Sequence, residues 1–211
     1  MKALADPIRH LDRGIYDVPE VARLVHADPS TVARWTTRQG PRSALVEPEE
    51  PGVLSFHDLI SVYVIHELRS RHVRLSDIEN GAAYLGRKLR TSRPFAHKKL
   101  ATVGKSFFAN VEDWVDAGQS GQMAFQEIIK PLMRPIRFGR DELASLWYPH
   151  EHVWINPLVQ AGTPCIRGTR VPTATVAAMA SEGAEAVADD LGLELIQVMA
   201  AISYERTLEA A

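Results

Sequence analysis

Asp17–Gly40, DVPEVARLVHADPSTVARWTTRQG, is the stretch on which the reading of this chain turns. Asp17 stands where a helix needs a cap, Glu20 follows three residues on as in a capping box, and Pro19 falls in the first turn, where no amide partner is lost. Val18, Val21, Ala22, Leu24 and Val25 then recur at the three-to-four-residue spacing of a buried helical stripe. His26 and Ala27 break the pattern, after which Asp28 caps a second helix that Pro29 opens with its pre-set backbone angle. Val32 and Trp35 form the inward pair, which leaves Ser30, Thr31, Arg34 and Arg38 on or near the other face. Two short helices joined by a tight turn make a helix-turn-helix, a motif whose second helix can meet base edges and phosphates. A helical hairpin with a solvated face has the same pattern, and this turn lacks the frequent glycine, so the flanking sequence has to decide.

Going outward, Gly40 and Pro41 stop the helical pattern. Residues Arg42–Val53 carry Pro48, Pro51 and Gly52 among Glu47, Glu49 and Glu50 and read as a loop or short hairpin. Ser55, with Asp58 three residues on, opens a helix whose broad apolar face runs through Leu59, Ile60, Val62, Ile65 and Leu68 to about Arg71. Ser76 and Glu79 repeat the capping signature before Ile78, Ala82, Leu85 and Leu89. These signals predict a four-helix N-terminal domain.

Composition bounds the rest. The chain has 211 residues, 45% hydrophobic and 24% charged, which suits one large globular domain or two small ones. A single cysteine, Cys165, excludes an internal disulfide framework and a multi-cysteine zinc site, and fits a reducing compartment. Among the histidines, His150 and His152 are the close pair, and no further ligands complete a metal set, so neither metal nor cofactor is expected. The start, MKALADPIRH, has no secretory pattern, and no run of about eighteen apolar residues suggests a membrane span. The expected location is cytoplasmic. The formal net charge of -2 hides a polarity: Ser61–Asn110 carries ten Lys and Arg against Glu67, Asp77 and Glu79, about +7, whereas Val171 onward carries seven acids against Arg206 alone, about -6. The first segment suits a polyanion and the second does not.

The middle, Ser92–Pro149, mixes patterns. Lys99–Val103 and Ser106–Asn110 around a Gly104-Lys105 turn predict a β-hairpin, Met123–Met133 a helix, and Ile136–Phe138 and Leu146–Tyr148 short strands. Asp113, Asp116 and Glu127 are single carboxylates with no partner to build catalysis. Further on, Gly162 and Gly168 bracket Thr163, Pro164, Cys165, Ile166 and Arg167, as in a tight hairpin. A helix then starts at Thr173 or Thr175 and ends near Gly183, a second spans about Glu185–Asp190, and a third runs about Glu194–Leu208 with Leu195, Ile196, Met199, Ile202 and Leu208 on its buried side. Arg167 and Arg170 lie near Cys165 in sequence, yet no histidine is placed as its base, and the order G-x-x-x-x-G-K-[ST] of a phosphate loop is missing. No catalytic residues and no enzyme activity are therefore expected. The expected fold is mainly α with small β elements, an α+β class.

Two resemblances give these elements a function. ARWTTRQG, the short wing after it and SFHDLISVYVIHELRSRHVRLSDIENGAAYL, within about residues 14–90, resemble the winged helix-turn-helix of MerR-like regulators. The resemblance implies DNA contacts by Ser30, Thr31, Arg34 and Arg38, a wing contact by Arg42, and binding as a homodimer on two half-sites. The glutamates in the wing depart from that scheme, since they would repel phosphates they faced. Across about Trp154–Glu205, the pattern Gly162, Pro164, Gly168, Thr169, Arg170, Pro172, Ala201, Ile202, Tyr204, Glu205 resembles domain-of-unknown-function family 433. Members of that family are similar to VapB-like antitoxins of type II toxin-antitoxin pairs, whose toxins are PIN-like ribonucleases. The implied organisation is a DNA-binding domain at 1–91, a mixed connecting region at 92–152 and an antitoxin-type helical module at 153–211. The implied function is an antitoxin that neutralises its toxin and represses its own operon at operator DNA. Arg167, Arg170 and Arg206 are the candidates to meet the toxin's carboxylates, because an arginine fork matches a carboxylate. The alternative is a one-component MerR-like transcription regulator that senses a small molecule through the middle region.

Overall fold

Asp17 does cap the first helix. In the computed structural model, which describes residues 11, 13–38, 43–108, 128–180 and 183–210, its carboxylate accepts the Glu20 N–H at 2.7 Å. The chain divides into two compact units, Met1–Ser145 and Leu146–Ala211.

In the first unit, strand β1 (Tyr16–Asp17) leads into α1 (Val18–Leu24) and α2 (Pro29–Thr36). β1 pairs antiparallel with β2 (Val53–Leu54), Tyr16 opposite Leu54. The turn between α1 and α2 closes without glycine. The Ala27 N–H reaches back to the Ala22 carbonyl at 2.9 Å while His26 adopts φ 55, the left-handed residue of a Schellman-type stop. The same device recurs twice. Val73 N–H binds the Leu68 carbonyl past His72 at φ 64, and Thr91 N–H binds Gly86 past Arg90 at φ 54.

α3 (Phe56–Ser70) opens with a full capping box: Asp58 N–H donates to Ser55 Oγ at 3.1 Å and Ser55 N–H donates to Asp58 Oδ2 at 2.9 Å. Asp58 is wholly buried, and its Oδ1 faces Arg93 Nε at 3.2 Å. Arg93 in turn donates from Nη1 to the Glu47 carbonyl at 2.7 Å, tying the loop after α2 to the start of α3. The core of this unit gathers Tyr16, Leu24, Leu54, Phe56, Leu59, Ile60, Ile65 and Ile78, all buried.

α4 (Leu75–Leu89) starts at Leu75 with Arg74 in the cap position and no side-chain cap, so the Ser76–Glu79 capping box is corrected: the helix has already begun one residue earlier. A 3-10 turn (Pro94–Ala96) follows. Next comes α5 (Leu100–Phe108), where a β-hairpin was expected. Leu100 and Gly104 are buried one helical turn apart as α5 packs on α4, so the position that reads as a turn glycine is a close-packing site inside a helix. Of the expected Met123–Met133 helix, residues 128–133 are helical and the remainder lies outside the described residues. β3 (Ile136–Phe138) agrees with its predicted bounds. The buried His57 ring donates from Nε2 to the Ala144 carbonyl at 2.9 Å, fixing where the next strand begins.

That strand, β4 (Ala144–His150), runs on into the second unit and contains the expected Leu146–Tyr148. It is followed by β5 (Val153–Ile155) and β6 (Cys165–Ile166), sequential strands being neighbours in the order β3-β4-β5-β6. β4 pairs antiparallel with β5, Trp147 opposite Ile155, and β5 with β6, Val153 opposite Ile166. Three helices complete the second unit: α6 (Thr173–Met179), α7 (Ala184–Leu191) and α8 (Leu195–Glu209). They close on Ile166, Val176, Val187, Val198 and Ala201. The architecture is mixed α+β, mainly helical, with small antiparallel sheets.

One expectation about α8 is overturned. Leu195, Ile196 and Met199 were expected inward, yet they are exposed, and Val198, Ala201, Tyr204 and Leu208 are the buried face. Both sides of this helix are apolar, so periodicity could not say which one turns to the core.

Candidate nucleic-acid interface

α2 owes its position to two buried residues. Val32 and Trp35 pack inward, and the buried Thr36 hydroxyl donates to the Val32 carbonyl at 3.0 Å, closing the helix's last turn. Asp28 caps the other end. Its Oδ1 accepts the Ser30 N–H at 2.8 Å, the Thr31 N–H at 3.1 Å and the Ser30 hydroxyl at 2.5 Å. Those bonds, the Ser30 hydroxyl first, hold the Asp28 carboxyl below the usual carboxylate range.

The residues expected to contact DNA fall as follows. Ser30, Arg34 and Arg38 are exposed and Thr31 is half-buried. Ser30 and Arg34 stand one turn apart on the outward face. Arg42 lies outside the described residues. Two local bonds shape what these groups offer. The Ser30 proton is committed to Asp28, leaving its oxygen as an acceptor, and Arg34 Nη2 donates to Thr31 Oγ1 at 2.9 Å, which steadies the guanidinium of this exposed residue; a guanidinium's remaining N–H groups suit a base edge or phosphate. In the loop after α2, Val46 N–H binds the Trp35 carbonyl at 2.9 Å, and Glu47, Glu49 and Glu50 are all exposed.

A cleft of about 590 Å³ lies beside α2, walled by Arg34 and Trp35, by His66 and Arg69 near the end of α3, and by Leu75 and Glu79 of α4. Arg69 is held there by a 2.5 Å bond from its Nη1 to the Val73 carbonyl. Burial pushes the His66 pKa down, so the ring favours its neutral form. Reading the sequence left Arg69 unplaced. Its basic segment was visible, but its place in the cleft wall is fixed by the bond to Val73, which lies past the left-handed His72.

The second unit explains its glycine and threonine motif as scaffolding. Thr169 N–H binds the Ile166 carbonyl at 3.0 Å across a turn whose third residue, Gly168, has φ 80, as a type II turn requires. Trp154 Nε1 donates to the Thr169 carbonyl at 3.2 Å, and the Thr173 hydroxyl links to the buried Glu205 at 2.5 Å. What remains turned outward is Arg167 and Arg170 on that turn and Arg206 on α8. Arg167 stacks 4.7 Å from the Tyr148 ring centroid and donates to the Glu151 carbonyl at 3.3 Å. Cys165 is buried, its Sγ 3.3 Å from the Thr163 carbonyl, and burial pushes its thiol pKa up, against a reactive thiolate. The His150 and His152 rings are 6.2 Å apart, and among the described residues no group of three or more His, Cys, Asp or Glu is arranged to hold a metal. Among those residues no helix is long and apolar enough to cross a membrane.

Comparison with known proteins adds three findings. Residues 153–204 match the family described as "Protein of unknown function (DUF433)". The chain is 26% identical over 215 residues to the protein named "Putative antitoxin VapB45" of Mycobacterium tuberculosis (strain ATCC 25618 / H37Rv), an alignment that covers 86% of this chain and 90% of the relative. The crystal structure of Rv2018 from Mycobacterium tuberculosis superposes with a TM-score of 0.72 at 22% identity, covering 91% of this chain and 99% of that one. Residues 153–204 are thus similar to that family, and nine-tenths of the chain has the fold of that mycobacterial protein.

Proposed function

We propose that this protein is the antitoxin of a type II toxin-antitoxin pair: it neutralises a PIN-like ribonuclease toxin through its C-terminal unit and, as a homodimer, represses its own operon by binding operator DNA through α2. The observation that carries the reading is the alignment, over most of both chains, with a relative named an antitoxin. The exposed Ser30 and Arg34 on a helix anchored by Val32 and Trp35, with the exposed Arg38 just beyond its end, support the DNA-binding half.

In this reading the N-terminal residues 1–91 are a MerR-like winged helix-turn-helix, 92–152 connect, and 153–211 form the toxin-binding module. Arg34, with Ser30 and Thr31, supplies sequence preference, each good base contact contributing about 1–3 kcal/mol. Arg38 and Arg42 contact phosphates. The exposed Glu47, Glu49 and Glu50 turn away from the DNA backbone, and phosphate contact shifts toward Arg69, Arg71 and Arg74 at the α3–α4 corner. Arg167, Arg170 and Arg206 meet toxin carboxylates, where a pair shielded from water is costly to break.

The test is co-expression with the adjacent reading frame, followed by binding of the complex and of the free chain to upstream DNA. A ribonuclease silenced by the chain, and a salt-dependent footprint lost in Arg34→Ala, are expected. An active nuclease in the presence of excess chain would remove the antitoxin reading. A second reading, a one-component regulator, is favoured by the cleft beside α2, where a bound small molecule would touch Arg34 directly rather than act through the middle region.

A further inference from the structure

The cleft beside α2 is walled by side chains of different character. α2 contributes Arg34 and Trp35, the end of α3 contributes Arg69, and α4 contributes Leu75 and Glu79. Its volume of about 590 Å³ lies within the range of about 300–1,000 Å³ typical of small-molecule sites. Both cations are anchored by neutral partners, Arg34 by the Thr31 hydroxyl and Arg69 by the Val73 carbonyl. Neither charge is cancelled by the bond that holds its guanidinium, and a guanidinium has further N–H donors beyond the one that bond uses.

Apolar surface lines the same cleft. Trp35, Leu45 and Leu75 are part of its wall, and Leu75 is 37% exposed. A second cavity of about 430 Å³ shares Ser43, Leu45 and Glu79 with the first and continues along Ala82, Ala83 and Gly86 of α4. Glu79, Ala82, Ala83 and Gly86 follow Leu75 at helical spacing, so one face of α4 lines both cavities. Glu79 borders the two of them, whereas Arg34 and Arg69 line the first alone. The cations therefore belong to the part of the groove away from the second cavity, and the Glu79 carboxylate marks the junction, where it opposes a second negative charge. A ligand that fits carries one anionic head and an apolar body.

We propose that this cleft binds a small organic carboxylate with an apolar tail, its head on Arg34 and Arg69 and its tail along Leu45, Leu75 and the α4 face. A carboxylate matches a guanidinium fork, and burying the tail covers Leu75. Arg34 is also the residue assigned to base contact, so a bound carboxylate competes with DNA for it. That competition rests on the reading of α2 as the DNA-contacting helix; the binding itself does not.

Calorimetric titration of the full chain with octanoate, 1-octanol and inorganic phosphate tests the site. Octanoate should bind, with 1-octanol and phosphate each weaker by about tenfold or more, since one lacks the charged head and the other the tail. Leu75→Glu puts a carboxylate into the cleft from an exposed position in the first turn of α4, where an acidic residue suits the helix, and should weaken octanoate binding about tenfold. Arg69→Ala should do the same, and Leu75→Glu carries the test should loss of the Val73 bond unfold that variant. Phosphate bound as tightly as octanoate would assign the cations to DNA phosphate alone, and octanoate bound equally by the parent and the folded variants would place it elsewhere. Either result, or no octanoate binding at all, overturns the proposal. In a mobility-shift assay with upstream DNA, saturating octanoate should raise the parent's Kd for DNA by about tenfold or more and leave that of Leu75→Glu unmoved. Octanoate bound in the cleft with DNA affinity unmoved would overturn the competition at Arg34 and leave the carboxylate site. A parent that binds octanoate but no DNA would remove the reading of α2 and leave the site likewise.

Discussion

Arg93→Ala should be among the most damaging single substitutions in the first unit. Asp58 is fully buried at the start of α3 and Arg93 is 8% exposed, with Nε 3.2 Å from the carboxylate and Nη1 on the Glu47 carbonyl. Removing the cation leaves a buried carboxylate with only the Ser55 capping bonds and frees the Glu47 carbonyl. Breaking a buried pair from one side costs about 3–5 kcal/mol, a large fraction of the roughly 5–15 kcal/mol that holds a domain together. Burial already raises the Asp58 pKa above 3.8, and Arg93 is the chief influence lowering it. In the variant the carboxyl therefore rises further. A folded pKa above the unfolded one means proton-linked stability that is complete below the unfolded value and lost as pH rises through the folded value. The cost of Arg93→Ala should thus be largest near pH 7 and shrink toward pH 4, where Asp58 takes up a proton. Urea unfolding of parent and variant at both pH values measures it. A loss under about 1 kcal/mol, or one equal at both pH values, would refute the claim that this pair holds the unit.

Other predictions follow from single features. His26→Gly should raise the unfolding free energy by about 1 kcal/mol, because His26 holds φ 55 where glycine has no side-chain penalty; a destabilised variant in thermal melts would mean the imidazole is needed. Arg34→Ala should cost about 1–3 kcal/mol of operator affinity and flatten sequence preference in a mobility-shift assay, and unchanged preference would exclude α2 as the reader. Burial lowers the His66 and His97 pKa values below 6.5, so their stability is present above that value and lost as pH falls through the lower folded values; His97→Gln should flatten the decline between pH 6.5 and 5 in chemical denaturation, and an unaltered slope would assign it elsewhere.

How far residues alone led is clearest at the helix ends. Asp17, Asp28 and Ser55 were readable as caps because a short polar side chain bonding its own backbone three residues on is a local event. The break at His26 was readable, but the left-handed backbone of His26, His72 and Arg90 was not, since a non-glycine residue in that region is chosen by what the following chain packs against. Lys99–Asn110 misled because Gly104-Lys105 imitates a turn, while the 3-10 turn and α4 offer a surface that favours a helix. At the candidate site, the outward placement of Ser30 and Arg34 followed from Val32 and Trp35 alone. Arg69 and the outward face of α8 required the tertiary arrangement: the first because Arg34, which lines the same cleft, is distant in sequence, the second because an evenly apolar helix carries no signal of direction.

The measurement that bears most directly on the account is native mass spectrometry of the tagged chain purified after co-expression with its adjacent reading frame. A stoichiometric complex with a small protein whose nuclease activity the chain suppresses is the predicted result. A clean homodimer that co-purifies with no partner, from cells in which the adjacent product is made, would contradict the antitoxin reading and shift attention to the cleft beside α2.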